Sequence, residues 1–164
     1  MPDDWIRVWG DPALRQVAQP VERADDILRA QVARMRRRLE QAAGAGLAAT
    51  QVGLMRRLFV FRIDPEDEID VLVNPRVVER SAHEETFHEG CLSIPSVVVA
   101  VTRPAAVRVE GEDLDGRPRE LVAEGFGASL LQHEIDHLDG ILTLDRAMPA
   151  ERRRVMSVLL SRAA

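Results

Sequence analysis

Residues 125–138 read GFGASLLQHEIDHL, and their apolar side chains recur at the period of a helix. On a helix, residues four apart differ by about 40° in direction, so the imidazoles of His133 and His137 can reach one ion. Glu134 lies between them in the sequence, and its side chain is expected to point to the neighbourhood of the same ion. This H-E-x-x-H pattern predicts a metal site, and the alternative is a pair of solvated histidines beside a surface glutamate.

A third metal ligand has to come from elsewhere in the chain, because a catalytic ion of this type takes three protein ligands and keeps one position for water. No histidine follows the pair, and Cys91, in residues 89–93 (EGCLS), is the only cysteine and the only soft ligand. A buried structural cysteine is the alternative. Gly90 is expected to allow the close approach of a backbone, and Glu89 is free to pair with a base such as Arg103.

The third unusual segment is residues 44–53, GAGLAATQVG, whose small side chains let another backbone come close. Taken alone, the segment favours a helix C-cap and a turn at the end of the first helix. It does not fit a phosphate-binding loop, because no lysine follows and the glycine spacing differs.

The remaining segments predict an α+β fold in which antiparallel strands wrap around the central helix that carries H-E-x-x-H. Apolar residues spaced by three and four predict an N-terminal helix over residues 23–43, and Pro149 opens a C-terminal helix that runs to Arg162. Asp115-Gly116 marks a hairpin turn. Short segments rich in β-branched residues predict five strands: Leu58–Ile63, Val71–Asn74, Val97–Thr102, Ala106–Glu110 and Arg119–Ala123.

Composition restricts the classes of protein that fit. A chain of 164 residues with 46% hydrophobic and 30% charged residues suits one compact domain, here residues 1–164, and its single cysteine suits a reducing cytoplasm. The N-terminus lacks the apolar run of a secretory signal, and no stretch reaches membrane-spanning length. The net charge of −5 argues against direct nucleic-acid binding, and the arginines of the first helix are read as a solvated face.

Taken together and in this order, the three segments resemble the peptide deformylase family, whose members remove the formyl group from the N-terminal methionine of new bacterial polypeptides. Residues 44–51, 89–93 and 132–137 resemble the three motifs of the family. Asp11-Pro12-x-Leu14 and Asp145-Arg146 resemble its flanking signatures. The resemblance covers nearly the whole chain and implies a bacterial cytoplasmic enzyme.

The resemblance implies a division of roles among the motif residues. One divalent ion would be held by Cys91, His133 and His137, with Fe(II) expected in the cell and zinc, nickel or cobalt as alternatives. Water activated by the ion would attack the formyl carbon and release formate. The remaining roles implied are general base and then acid for Glu134, and oxyanion stabilisation by the Gln51 amide and the Leu92 N–H.

The family also implies where a formyl-methionyl peptide lies. The peptide would run extended beside Ala45, Gly46 and Gly90, in the manner of an added strand. An apolar pocket would receive the methionine, and its predicted walls are Phe87, Phe126 and Leu130. A basic C-terminal helix can dock on the ribosome in the family, although packing of that helix against the sheet is the other use for it.

Two departures from the family pattern lie near this pocket. Ser96-Val97-Val98 replace the glycine and the arginine or aromatic residue that often follow the second motif, and Ser129 replaces a larger apolar residue. A zincin-type protease is the rival enzyme, and it predicts that Cys91→Ser leaves the metal content unchanged. The rival from another class is a protein that binds nascent peptides or ribosomes without chemistry, and it predicts no formate release.

Overall fold

The structure is a computed structural model and describes residues 6–163. Its α-helices are α1 (Asp26–Gln41), α2 (Gly125–Leu138), α3 (Thr143–Arg146) and α4 (Pro149–Ala163). Its strands are β1 (Gly46–Ala48), β2 (Leu58–Phe61), β3 (Asp70–Arg80), β4 (Glu84–Cys91), β5 (Ile94–Pro104), β6 (Ala106–Glu112) and β7 (Pro118–Glu124). No helix within residues 6–163 is long and apolar enough to cross a membrane.

Five strands form an antiparallel sheet in the order β1-β2-β3-β6-β7, and β4 pairs with β5 in a separate hairpin. At the edge, β1 pairs with β2 so that Gly46 lies opposite Phe61 and Ala48 lies opposite Phe59. The loop between β6 and β7 contains Gly116 at φ 77°, which agrees with the hairpin predicted at Asp115-Gly116. A glycine tolerates this left-handed conformation without steric strain.

Helices cover both faces of the sheet near its β1 edge. Successive residues of a strand point to opposite faces, so β2 sends Leu58 and Val60 toward α1 and Phe59 and Phe61 toward α2. All four of these residues are buried, which explains why β2 reads as a continuous apolar run. The face of α1 that packs here consists of Leu28, Val32, Met35 and Leu39, which have the three- and four-residue spacing from which the helix was predicted. Asp25 caps this helix by accepting a hydrogen bond of 2.8 Å from the Leu28 N–H.

The second side of α2 is covered by the β4–β5 hairpin, so this helix lies between the two sheets. Every residue from Gly127 to Leu138 is buried. α4 packs behind the hairpin, where Val155 and Leu159 contact an apolar cluster that includes Val99 and Val101 of β5. The predicted arrangement of antiparallel strands around a central helix, with one helix toward each end of the chain, is therefore confirmed.

The predicted elements are present with shifted bounds. The N-terminal helix is shorter than residues 23–43, the first predicted strand ends at Phe61, and the second continues to Arg80. Strands β1 and β4 and the short helix α3 were not predicted. In β4 the residues that face α2 include Glu89, so a buried carboxylate replaces the apolar residue on which strand recognition depends.

Candidate metal centre

Two elements bring the predicted ligands together. α2 carries His133 and His137 one turn apart, and β4 ends at Cys91. Leu92 and Ser93 form the turn into β5, with Cys91 paired to Ile94 across it. The hairpin thus presents its cysteine to the buried face of the helix.

The three ligand atoms have the spacing that one ion requires. Cys91 Sγ lies 3.3 Å from His137 Nε2, which lies 3.1 Å from His133 Nε2. All three ligand atoms lie within 4.8 Å of one another. Ligands of a tetrahedral ion with ordinary metal–sulfur and metal–nitrogen distances are about 3.3–3.6 Å apart. A thiolate and two imidazoles in this arrangement therefore fit a single divalent cation.

The electrostatics of the cluster favour the thiolate that a metal requires. Burial alone would raise the pKa of Cys91, but His137 and His133 outweigh it and hold the pKa well below its ordinary value. For His133, burial acts to lower the pKa, and the contacts with Cys91 and Glu89 raise it well above its ordinary value. The pair therefore tends toward a thiolate beside an imidazolium, and a cation that binds there displaces the proton.

A buried carboxylate orients His133. Glu89 Oε2 lies 2.9 Å from His133 Nδ1, which leaves Nε2 directed toward the thiol. Arg103 donates to both carboxylate oxygens of Glu89, at 2.5 and 3.0 Å, and Ser129 Oγ donates to Oε1 at 2.8 Å. Burial acts to raise the pKa of Glu89, but the hydrogen bonds from His133 and Arg103 outweigh it and lower the pKa to about 2. Glu89 is thus ionised, and the expected pairing of Glu89 with Arg103 is confirmed.

The same arginine also joins the hairpin to the far end of α2. Arg103 Nη1 donates to Asp136 Oδ2 at 2.8 Å, and Arg146 of α3 donates to Asp136 Oδ1 at 2.8 Å. Arg103 is 4% exposed, so two buried carboxylates share one buried guanidinium, and Asp136 has Arg146 as a second partner. This network connects β4, β5, α2 and α3 behind the metal ligands.

Glu134 is the remaining polar group of the motif, and it faces the cavity rather than the ion-pair network. It is 2% exposed, and its Oε2 has no hydrogen-bond partner among residues 6–163. Burial raises the pKa of Glu134 to about 6. A carboxylate with this pKa can take up and release a proton near neutral pH.

Gln51 lies in a short 3-10 helix, Ala49–Val52, that follows β1. Its Oε1 accepts a hydrogen bond of 2.9 Å from the Ala48 N–H, and its Nε2 donates to Ser93 Oγ at 3.0 Å. The same nitrogen lies 3.8 Å from Cys91 Sγ. The amide is therefore held with its N–H groups toward the metal ligands. Sequence reasoning missed the contribution of Ser93, for which the only signal was its place in the second motif.

An open cavity of about 670 Å³ lies beside the three ligands. Phe126 is 57% exposed at its mouth, and Ser96–Val98 and Ser129 contribute to the walls. Every residue predicted to bind substrate lines this cavity: Ala45, Gly46, Phe87, Gly90, Phe126 and Leu130.

A Cβ atom added at Gly90 would meet nothing within 4 Å outside its chain neighbours, so no other described residue approaches this glycine closely. The close approach expected at Gly90, of its backbone to a metal, stays a prediction. The β4 strand bends at this point, because the register with β5 shifts between Gly90 and Cys91. The two other histidines of the chain, His83 and His88, are both exposed.

Comparison with known proteins agrees with this site. The family model for polypeptide deformylase matches residues 4–153. The chain belongs to the polypeptide deformylase family. A peptide deformylase of Brucella suis biovar 1 is 45% identical over 149 residues, which are 89% of this chain and 85% of the relative.

Solved deformylase structures share the fold. A peptide deformylase from Synechococcus elongatus in complex with actinonin has a TM-score of 0.90 at 41% identity, covering 96% of this chain and 86% of that one. A peptide deformylase from Legionella pneumophila has a TM-score of 0.89 at 39% identity, with coverage of 95% and 92%. The similarity extends over the whole arrangement of helices and strands that holds the cysteine and the two histidines.

The role of Arg103 can be tested by Arg103→Met, which keeps most of the side-chain volume but leaves Glu89 and Asp136 buried without their shared cation. We expect the free energy of unfolding to fall by about 3–5 kcal/mol in denaturant titrations. The matched control is Arg76→Met, because Arg76 pairs with Glu110 at 2.6 Å on the surface and is 71% exposed. The control should change stability by less than about 1 kcal/mol. Equal losses in the two variants would contradict the central role of the buried network.

Proposed function

We propose that the chain is a metal-dependent amide hydrolase that removes the N-formyl group from the formyl-methionine end of newly made polypeptides and releases formate. The observation that carries the proposal is the meeting of Cys91, His133 and His137 at one point, beside a buried carboxylate and an open cavity. Membership of the deformylase family supports the choice of substrate.

In this proposal Cys91, His133 and His137 hold one divalent cation. We expect Fe(II) in the cell, with zinc, nickel or cobalt as substitutes, since thiolate and imidazole ligands suit all of these ions. When bound, such a cation lowers the pKa of a water molecule and so supplies a nucleophile at neutral pH. Glu89 holds the His133 ring through Nδ1, so that Nε2 would be available to the cation.

Glu134 moves the proton. Its carboxylate accepts a proton from the attacking water, and the resulting acid returns that proton to the leaving amine. Burial supports this role, because a carboxyl group with a pKa near 6 exchanges protons readily at the pH of the cytoplasm. Its unpartnered Oε2 is the atom available for the proton.

Gln51 and Leu92 stabilise the oxyanion that forms when the formyl carbon becomes tetrahedral. The Gln51 amide is fixed by Ala48 and Ser93, so no reorganisation is needed when negative charge develops. The Leu92 N–H is the second donor, in the turn directly after Cys91. Together they place two donors next to the ligand cysteine.

The peptide lies between β1 and the β4–β5 hairpin. Within residues 6–163, β1 pairs only with β2, so the opposite edge of the chain at Ala45 and Gly46 is open to an added strand, and Gly90 lines the same cavity. Phe87, Phe126 and Leu130 form the apolar pocket for methionine. We expect the enzyme to act in the cytoplasm. The outer face of α4, which carries Arg153, is the surface that the ribosome could contact there.

Activity is tested with protein made anaerobically and loaded with Fe(II). We expect formate release from formyl-methionyl peptides, and we expect Glu134→Ala to reduce kcat by at least about 100-fold because the proton carrier is lost. The variant should keep its full metal content. Glu84→Ala, at an exposed position of β4, is the matched control and should keep wild-type rates. If the wild-type protein releases no formate from any formylated peptide, the protein that only binds nascent peptides becomes the better description.

The third ligand is tested by Cys91→Ser. A serine hydroxyl is a poor ligand at neutral pH, so we expect the metal content per chain to fall well below that of the wild type. Metal analysis of dialysed protein gives the answer directly. A full metal content in the variant would favour the zincin-type alternative, in which the cysteine plays no part.

A further inference from the structure

We infer that Gly46 is a positioning residue for Glu134: its missing side chain leaves the space in which the Glu134 carboxylate lies. The inference rests on the proposed function and assigns this glycine a second role besides pairing with the peptide backbone.

The contact leaves no room for a side chain. A Cβ atom built on Gly46 would lie 2.3 Å from Glu134 Oε1, 2.7 Å from its Cδ and 2.9 Å from its Cγ. Non-bonded carbon and oxygen atoms do not approach this closely. All three of these nearest atoms belong to Glu134, so the space beside Gly46 is occupied by that side chain.

The requirement for glycine here is one of space and not of backbone conformation. Gly46 is not among the glycines at positive φ, which are Gly10, Gly53, Gly116, Gly125 and Gly140. Its backbone belongs to β1 and could carry any residue if the neighbouring volume were free. The Glu134 side chain occupies that volume.

The backbones on both sides of the contact are held in place. Gly46 lies opposite Phe61 in the β1–β2 ladder, and the Arg62 N–H donates to Ala45 O at 2.8 Å. Glu134 is on α2, which is buried from Gly127 to Leu138. The end of the Glu134 side chain is therefore the part that can yield, and a methyl group at position 46 would displace it while the fold and the metal ligands stay.

Two effects of Gly46→Ala have to be separated. Crowding of the peptide strand would raise KM, whereas displacement of Glu134 lowers kcat. Gly90→Ala provides the comparison, because it adds the same methyl group to the same cavity, where it meets nothing within 4 Å. The fall in kcat of Gly46→Ala should exceed any fall in Gly90→Ala.

The decisive experiment is a double-mutant cycle on metal-loaded enzyme with Gly46→Ala, Glu134→Ala and the double variant. We expect Gly46→Ala to lower kcat by about 10- to 100-fold with full metal content. In the double variant kcat should equal that of Glu134→Ala within about twofold, because the methyl group then displaces nothing. An unchanged kcat in Gly46→Ala, or losses that multiply in the double variant, would overturn the inference.

A crystal structure of Gly46→Ala separates failure of this inference from failure of the proposed function. We expect the Glu134 carboxylate to be displaced while His133 and His137 keep their positions. A carboxylate that stays in place overturns the inference even if the enzyme is an active deformylase. A displaced carboxylate in a protein whose wild type releases no formate upholds the contact and overturns the function.

Discussion

The buried ion pair between Arg103 and Glu89 is the interaction on which the rest of the site depends. It joins the β4–β5 hairpin to the central helix, because Glu89 also contacts His133 and Arg103 also contacts Asp136. Removing charges from water is unfavourable unless each finds a partner, and here the carboxylate of Glu89 receives donors at both of its oxygens. The position of Cys91, two residues after Glu89, follows from this attachment.

A central helix that is buried on all sides gives the site its chemical properties. A polar group in such a helix must be paired, ionised against a partner or available for chemistry. Asp136 is paired with arginines, His133 is oriented by a carboxylate, and Glu134 retains an oxygen without a partner. Burial thus raises the proton affinity of Glu134, while the histidines keep the thiol of Cys91 in its charged form. This one helix supplies two of the three cation ligands and also a carboxyl group that can exchange protons.

The sequence was sufficient to predict the central helix, its flanking helices and the convergence of three separate segments. Two strong local signals carry the metal site: the four-residue spacing of His133 and His137, and the single Cys91. The place of residues 44–53 beside them came from the resemblance to the family. The alternating pattern that identifies a strand failed in β4. There Glu89 occupies a buried position that an apolar residue would normally fill. β1 has three residues, too few for an alternating pattern to be recognised. The contacts of Ser93 and Ser129 depend on tertiary packing that no local spacing encodes, and the same is true of the contact between Gly46 and Glu134.

X-ray absorption spectroscopy of the zinc-loaded wild-type protein tests the central claim most directly, because it identifies the atoms bound to the ion without relying on activity. The arrangement of Cys91, His133 and His137 predicts one sulfur at about 2.3 Å and two imidazole nitrogens at about 2.0–2.1 Å, with the remaining position filled by a lighter atom. A spectrum without sulfur in the first coordination shell would contradict the account.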